Sequence, residues 1–231
     1  MIVAALLAAV FGLLPLGVYF NWLGGLHRRP RPVVLAGPAD LLLLLAGLVG
    51  FLPTLAVLAL MALQSNTRLL ARGNGALTAE LWVEERRAWV LSATLLAGIV
   101  AGVVGLALLA RRGTLAVYNV ERLALERVLG DVLTGLGLTA ARFGNVWGDG
   151  REVLSIEPSP GLGYATVRLL TRDPRLREEL DRSLRLRLDR TPGANGGCAV
   201  LFTTVGMGCV GGAVAAVALI VYLSVMRLWL A

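Results

Sequence analysis

"CAVLFTTVGMGCVGGAVAAVALIVYLSVM", Cys198 to Met226, runs for 29 residues without one Asp, Glu, Lys, Arg or His. An α-helix rises about 1.5 Å per residue, so about 20 apolar residues cross a hydrocarbon core of roughly 30 Å. This stretch exceeds that length and must tilt, bend or protrude, with the glycines from Gly206 to Gly212 as the expected place for a bend. Three further runs meet the same criterion: Ile2–Leu26, Leu41–Leu63 and Ala88–Ala110. With 57% hydrophobic residues and a mean hydropathy of +0.74, the class expected is an α-helical integral membrane protein with four transmembrane helices.

Continuous apolar runs, rather than short alternating segments, select helices over a closed barrel. None of the four carries an Asp, Glu, Lys, Arg or His in its interior, which argues against an ion-coupled transporter or pump. The first run lacks a basic start and a small-residue cleavage site, so it reads as a retained helix rather than a signal sequence. No lipidation box or retrieval tail is found.

Orientation follows from arginine, the only basic residue other than His27, at 22 positions. The loop His27–Asp40 carries Arg28, Arg29 and Arg31 and is preceded by Trp22, an interfacial anchor. Placing it in the cytoplasm puts both termini outside, Gln64–Arg87 outside and residues 111–197 inside, in a bacterial inner membrane. Ten membrane-proximal arginines then lie inside against five outside. The outside loop, with Leu77, Leu81, Trp82 and Trp89 beside Glu84 and Glu85, reads as a short interfacial helix.

Between the third and fourth spans the periodicity changes. Leu125, Val128, Leu129, Val132, Leu133 and Leu136 recur at three-and-four spacing and predict an amphipathic helix over Asn119–Leu136. Asp149-Gly150 and Pro158–Gly163 are turn signals that delimit three antiparallel strands, Ala140–Trp147, Glu152–Glu157 and Tyr164–Thr171. "DPRLREELDRSLRLRLDR", Asp173–Arg190, follows as a second helix. Asp173 is its N-cap, Pro174 its first residue and Leu176, Leu180, Leu184 and Leu188 its buried stripe; Glu178–Arg182 and Asp181–Arg185 are i,i+4 pairs. The domain organisation is thus three spans in 1–110 (about 2–26, 41–63 and 88–110), a cytoplasmic α+β domain of helix, three-stranded sheet and helix in 111–197, and a fourth span with a short tail in 198–231.

Motifs for catalysis are absent. Residues 111–197 contain no histidine and no cysteine, which excludes zinc hydrolysis and thiol chemistry there. "GLGLTA", Gly135–Ala140, resembles a dinucleotide loop, but the helix precedes it and a strand follows it, the reverse of that motif's order. Asp149, Glu152 and Glu157 have turn or strand-end roles. Cys198 and Cys209, eleven residues apart on one helix, are too distant for a disulfide. His27, alone among loop arginines, is expected in solvent or at headgroups.

The expectation is therefore noncatalytic: no catalytic residue, no cofactor, no metal and no nucleic acid. Small-residue faces at Gly98, Gly102 and Gly105, and at Gly208 and Gly212, are the helix-packing sites. Arg28, Arg29, Arg31, Arg182, Arg185, Arg187 and Arg190 are the lipid-headgroup contacts. The partners are the bilayer and a protein partner or a homo-oligomer, the domain serving as scaffold or accessory subunit through strand addition to the third strand. A channel component lined by Thr203, Thr204 and Ser224 is the alternative.

Overall fold

The computed structural model describes residues 2–51, 86–138, 141–148, 152–159, 162–194 and 197–230. Two compact units divide the chain, one formed by Met1–Phe51 with Arg112–Ala231 and the other by Leu52–Arg111.

In the first unit, the leucine stripes on the two amphipathic segments place their helices. Helix α4 (Arg122–Gly135) buries Leu125, Val128, Leu129, Val132 and Leu133; α5 (Pro174–Leu188) buries Leu180, Leu184 and Leu188. Asp173 caps α5 by accepting from the Arg175 backbone N–H at 2.9 Å, with Pro174 at the first helical position. Arg182–Glu178 (3.1 Å) and Arg185–Asp181 (2.8 Å) run along its outer side.

The sheet under these helices has six strands rather than three. In chain order they are β1 (Val33–Ala36), β2 (Thr114–Tyr118), β3 (Ala141–Phe143), β4 (Val146–Gly148), β5 (Glu152–Ser159) and β6 (Tyr164–Leu169). All neighbours are antiparallel, in the spatial order β1-β2-β6-β5-β4-β3. Two differences from the sequence reading have physical causes. The single strand expected over Ala140–Trp147 is, from Ala141 onward, a hairpin, because Gly144 takes φ +65° and turns the chain between β3 and β4. Strand β2 is buried along its whole length, so "TLAVY" lacks the alternation that reveals a half-buried strand, and β1 is only four residues long.

Strand β6 lies in the interior of the sheet, hydrogen-bonded to β2 on one side and β5 on the other. It offers no edge for strand addition, which corrects the docking mode expected for it. The edges are β3 and β1, and Arg185 covers part of β1 by donating to the Val34 carbonyl at 3.1 Å.

One face of the sheet packs on α4 and α5 through Leu115, Val117, Leu154, Ile156, Val167 and Leu169. The opposite face, through Ala116, Tyr118, Val33, Leu35 and Tyr164, receives the end of α1 (Ile2–His27) at Leu23 and Leu26. Strand β1, from the first loop, therefore pairs with β2, which follows the second unit in sequence. Outside the core, Glu126 of α4 ties down the β3–β4 hairpin, accepting from Arg142 at 2.8 and 3.0 Å and from Arg122 at 2.9 Å. The Arg122 hydrogen bond first, then Arg142, holds the Glu126 carboxyl below the usual carboxylate range. Its contribution is present when the carboxylate is charged and is lost as pH falls through its titration. Glu126→Gln is expected to raise amide exchange of β3 and β4 several-fold at neutral pH, with the difference from wild type shrinking in acid.

Helix α6 (Gly197–Leu230) packs antiparallel to α1: Leu13 meets Gly212, Gly17 meets Gly206 and Val210, and Gly24 meets Ala199 and Thr203. Its hydrogen bonding continues through Gly206–Gly212, where a bend was expected. Helix α2 (Gly37–Leu48) runs back along α1, with Tyr19 against Gly47 and Phe11 against Gly50. Two of the six described helices are long and apolar enough to cross a membrane, over Leu6–His27 and Gly197–Met226. Their outer flanks expose Phe11, Val18, Met207, Val214 and Val221.

Of the other expected spans, Leu41–Leu63 begins within α2, and its residues from 52 onward lie outside the described residues, as does the interfacial helix expected before Arg86. In the second unit α3 (Arg86–Ala110) covers the third expected span.

Candidate functional site

The concentration of buried polar groups lies where α1 ends, β1 begins and α6 starts. Its members come from segments far apart in sequence, and each is held there for a local reason.

His27 is the last residue of α1 and is 4% exposed, so it sits in the interior rather than at solvent or headgroups. Burial follows from the docking of Leu23 and Leu26 on the sheet, since i and i+4 share a helix face and His27 shares that of Leu23. Its Nδ1 lies 2.9 Å from the Leu23 carbonyl oxygen and its Nε2 3.0 Å from that of Leu162, on the β5–β6 turn. The ring meets Tyr118 edge-on at 5.9 Å between centroids and Phe202 of α6 at 5.1 Å.

Tyr118 ends β2 with its side chain on the α1 face, and its hydroxyl donates to Asp40 Oδ1. Asp40 belongs to the first turn of α2, where a carboxylate is favoured by the helix dipole, and is 6% exposed. The Tyr118 phenol is held well above its ordinary pKa, by burial first and then by the hydrogen bond to Asp40 and its charge. The Tyr164 ring of β6 lies beside it, tilted by 47° with centroids 4.9 Å apart.

Asn119 follows directly. It is 1% exposed and left-handed, at φ +57°, a conformation asparagine tolerates better than most residues. Its Nδ2 donates to the Arg29 carbonyl at 2.6 Å and its own carbonyl accepts from Ala194 N–H at 3.0 Å. Gly193 donates to the Pro30 carbonyl at 2.9 Å, and a Cβ at that position would collide with the Asn119 amide. The α1–β1 loop, the end of β2, the β5–β6 turn and the lead into α6 are thus knotted together.

The arginines assigned to lipid fall into two groups around this knot. Arg28, Arg29 and Arg31 lie at it: the Arg29 carbonyl accepts from Asn119, Arg31 pairs with Asp189 at 3.3 Å and Arg28 donates to Thr203 Oγ1 at 3.2 Å. Arg182 and Arg185 are engaged by acids on α5, while Arg187 pairs with Asp131 of α4 at 3.7 Å. Arg187 and Arg190, with Val128, Asp131, Ser183, Leu186 and Thr191, line an open groove of about 510 Å³ between α4 and α5.

Of the glycines assigned to packing, Gly212 faces Leu13 at 3.2 Å, whereas added side-chain carbons at Gly98, Gly102, Gly105 and Gly208 meet open space among the described residues. Gly17, Gly24 and Gly206, not singled out from sequence, make the closest α1–α6 approaches. Gly17 and Gly24 lie seven residues apart, two helical turns, and that spacing was the available signal. Thr203 and Ser224 donate to carbonyls one turn back on their own helix, at 2.7 and 2.8 Å.

No cluster of three or more His, Cys, Asp or Glu side chains able to hold a metal occurs among the described residues. Cys198 and Cys209 are not joined in a disulfide. At the junction the rings of His27 and Tyr118 meet and Tyr118 bonds the Asp40 carboxylate, which couples α1, β2 and α2. Comparison with protein families, with curated proteins and with solved structures finds no match to this chain.

Proposed function

We propose that the chain is a noncatalytic multi-pass membrane protein, an accessory subunit or scaffold whose α+β domain is held rigidly against its membrane helices. The observation that carries this reading is the junction: buried hydrogen bonds from His27, Tyr118 and Asn119 join α1, α2 and the lead into α6 to the sheet. A tethered domain meant to swing would be joined by a solvated linker instead. The exposed apolar flanks of α1 and α6 suit lipid, and the arginines at the knot suit anionic headgroups at the same boundary. Four spans, both termini outside, a cytoplasmic domain and an inner-membrane location complete the proposal, on the arginine distribution.

With β6 internal, the partner surface is the helix layer. The α4–α5 groove presents Leu186, 59% exposed, between Arg187 and Arg190, which suits an acidic protein segment with an apolar anchor. The bonding of Thr203 and Ser224 to their own helix argues against the channel reading. Native mass spectrometry of the complex extracted in mild detergent tests the proposal. A heteromer that is lost in Leu186→Arg, with the fold intact by circular dichroism, is the expected result; a homo-oligomer without a second chain would refute the scaffold role.

A further inference from the structure

Arginines on α5 and on the β3–β4 hairpin are held by acids: Arg182 by Glu178, Arg185 by Asp181, Arg187 by Asp131 and Arg142 by Glu126. Four others, Arg112, Arg168, Arg172 and Arg175, are exposed, and their side chains have neither an ion pair nor a hydrogen bond among the described residues.

The fold brings these four to one end of the sheet. Arg168 of β6 lies opposite Thr114 in the register, and the next bond, Leu169 N–H to the Gly113 carbonyl at 2.9 Å, sets Arg112 just beyond the start of β2. Strand β6 runs out there into Arg172 and the Asp173 cap, and Arg175 stands in the first turn of α5. Arg177, from the same turn, crosses Gly113 where a Cβ would block it and donates to the Arg112 carbonyl at 3.3 Å. The start of α5 is thereby tied to the start of β2. Of the nearby acids, Asp173 is the cap and Glu178 is paired with Arg182, which leaves Glu179 against four guanidinium groups.

Two apolar helices have their roots at this same end. Ala36, the register partner of Leu115, leads directly into α2, which packs along α1. Arg111, Arg112 and Gly113 alone separate the end of α3 from β2, and the four steps from Ala110 to Thr114 span at most about 14 Å when extended. Arg168 shares its strand face with Tyr164, which packs on the end of α1, so it projects from the side of the sheet that receives the membrane helices.

We propose that Arg112, Arg168, Arg172 and Arg175 form a site for the phosphate headgroups of anionic phospholipid. The site rests on the reading of α1, α2 and α3 as membrane helices, which sets these side chains at the boundary between headgroups and water. A guanidinium fork matches two phosphate oxygens at once, and an arginine without an internal acid breaks no ion pair in turning to lipid. Arg182, Arg185 and Arg187, expected from sequence at headgroups, are engaged by acids instead. A soluble phosphate offers the same chemistry, but the place of the cluster beside two helix roots favours the bilayer.

Native mass spectrometry of the full chain, extracted in mild detergent and offered equal phosphatidylglycerol and phosphatidylcholine, tests the site. Phosphatidylglycerol should be retained about tenfold or more over phosphatidylcholine. Arg168→Gln should lower that preference roughly fivefold, the weight of one arginine at an anionic surface, while Arg182→Gln leaves it unchanged. Arg172→Gln, outside any helix or strand, serves in its place if Arg168→Gln does not fold. Equal retention of the two lipids, or a preference untouched at both Arg168 and Arg172, would overturn the site. So would displacement of the lipid by millimolar glycerol phosphate, the headgroup chemistry without acyl chains, which would assign a soluble ligand. Recovery of the chain from aqueous buffer without detergent would overturn the membrane reading and the site together.

Discussion

Gly17→Leu is expected to force α1 and α6 apart and to lower the stability of the first unit by about 3 kcal/mol, the upper part of the range for inserted bulk in a tight interface. A carbon added at Gly17 would lie 2.9 Å from the Gly206 carbonyl oxygen, 2.9 Å from Val210 Cγ2 and 3.1 Å from Cys209 Cβ. Two of these neighbours belong to, or are fixed by, the helix backbone and cannot swing aside. Separation then reaches every contact along the pair: Leu13 on Gly212, Phe20 stacked on Phe202 at 6.2 Å, and Gly24 beside Ala199. Helices in lipid gain no hydrophobic drive toward each other, so close van der Waals fit carries the association. Gly208→Leu is the matched control, since its added side chain meets open space among the described residues. Its effect should stay within about 0.5 kcal/mol. Thermal midpoints in detergent read both, and equal losses at the two positions would refute the packing described.

The second large effect is expected at Tyr118→Phe. It deletes one oxygen from a buried ring and removes a donor from the Asp40 carboxylate, which is itself 6% exposed. Hydrogen bonds to charged groups are worth about 1.5–3 kcal/mol, and a buried acceptor that loses its donor keeps its desolvation penalty. A loss of about 2–3 kcal/mol is expected by denaturant titration. Asp40→Asn, which retains an acceptor for the phenol, should cost less. Tyr118→Phe combined with Asp40→Leu should recover part of the single-variant loss, because the carboxylate that the missing phenol leaves one donor short is then removed as well. Additive losses in the double variant would show that the two side chains are not coupled.

What could be read in advance follows the range of the interactions. Helices α4 and α5 were legible because their leucines recur at helical spacing, and the Asp173 cap and the i,i+4 pairs of α5 are local as well. Strand β6 was legible from alternation. Strand β2 was not, because burial on both faces removes the alternation, and β1 escaped because its four residues are specified by pairing with residues more than 75 positions later. The same limit hid the site. His27 and Asp40 looked like loop polar residues among arginines; only the docking of α1 on the sheet brings His27 to Tyr118, and the return of α2 brings Asp40 there. The glycine faces were read by the four-residue spacing rule, which found Gly212 on the α1–α6 contact but missed Gly17, Gly24 and Gly206, where the two helices come closest.

The knot that joins Arg29, Asn119 and Gly193 also dictates a schedule. Ribosomes add about 5–20 residues per second, so roughly 10–30 s separate the appearance of Arg29 from that of Gly193. Until β2 is made β1 has nothing to pair with, and throughout the interval α1 lacks α6. Such long-range closure slows folding and prolongs exposure of unpaired edges. The lead into α6 is therefore the closing step, and a nascent chain halted before Gly193 should remain open to proteases and chaperones even though every strand of the sheet has already been made.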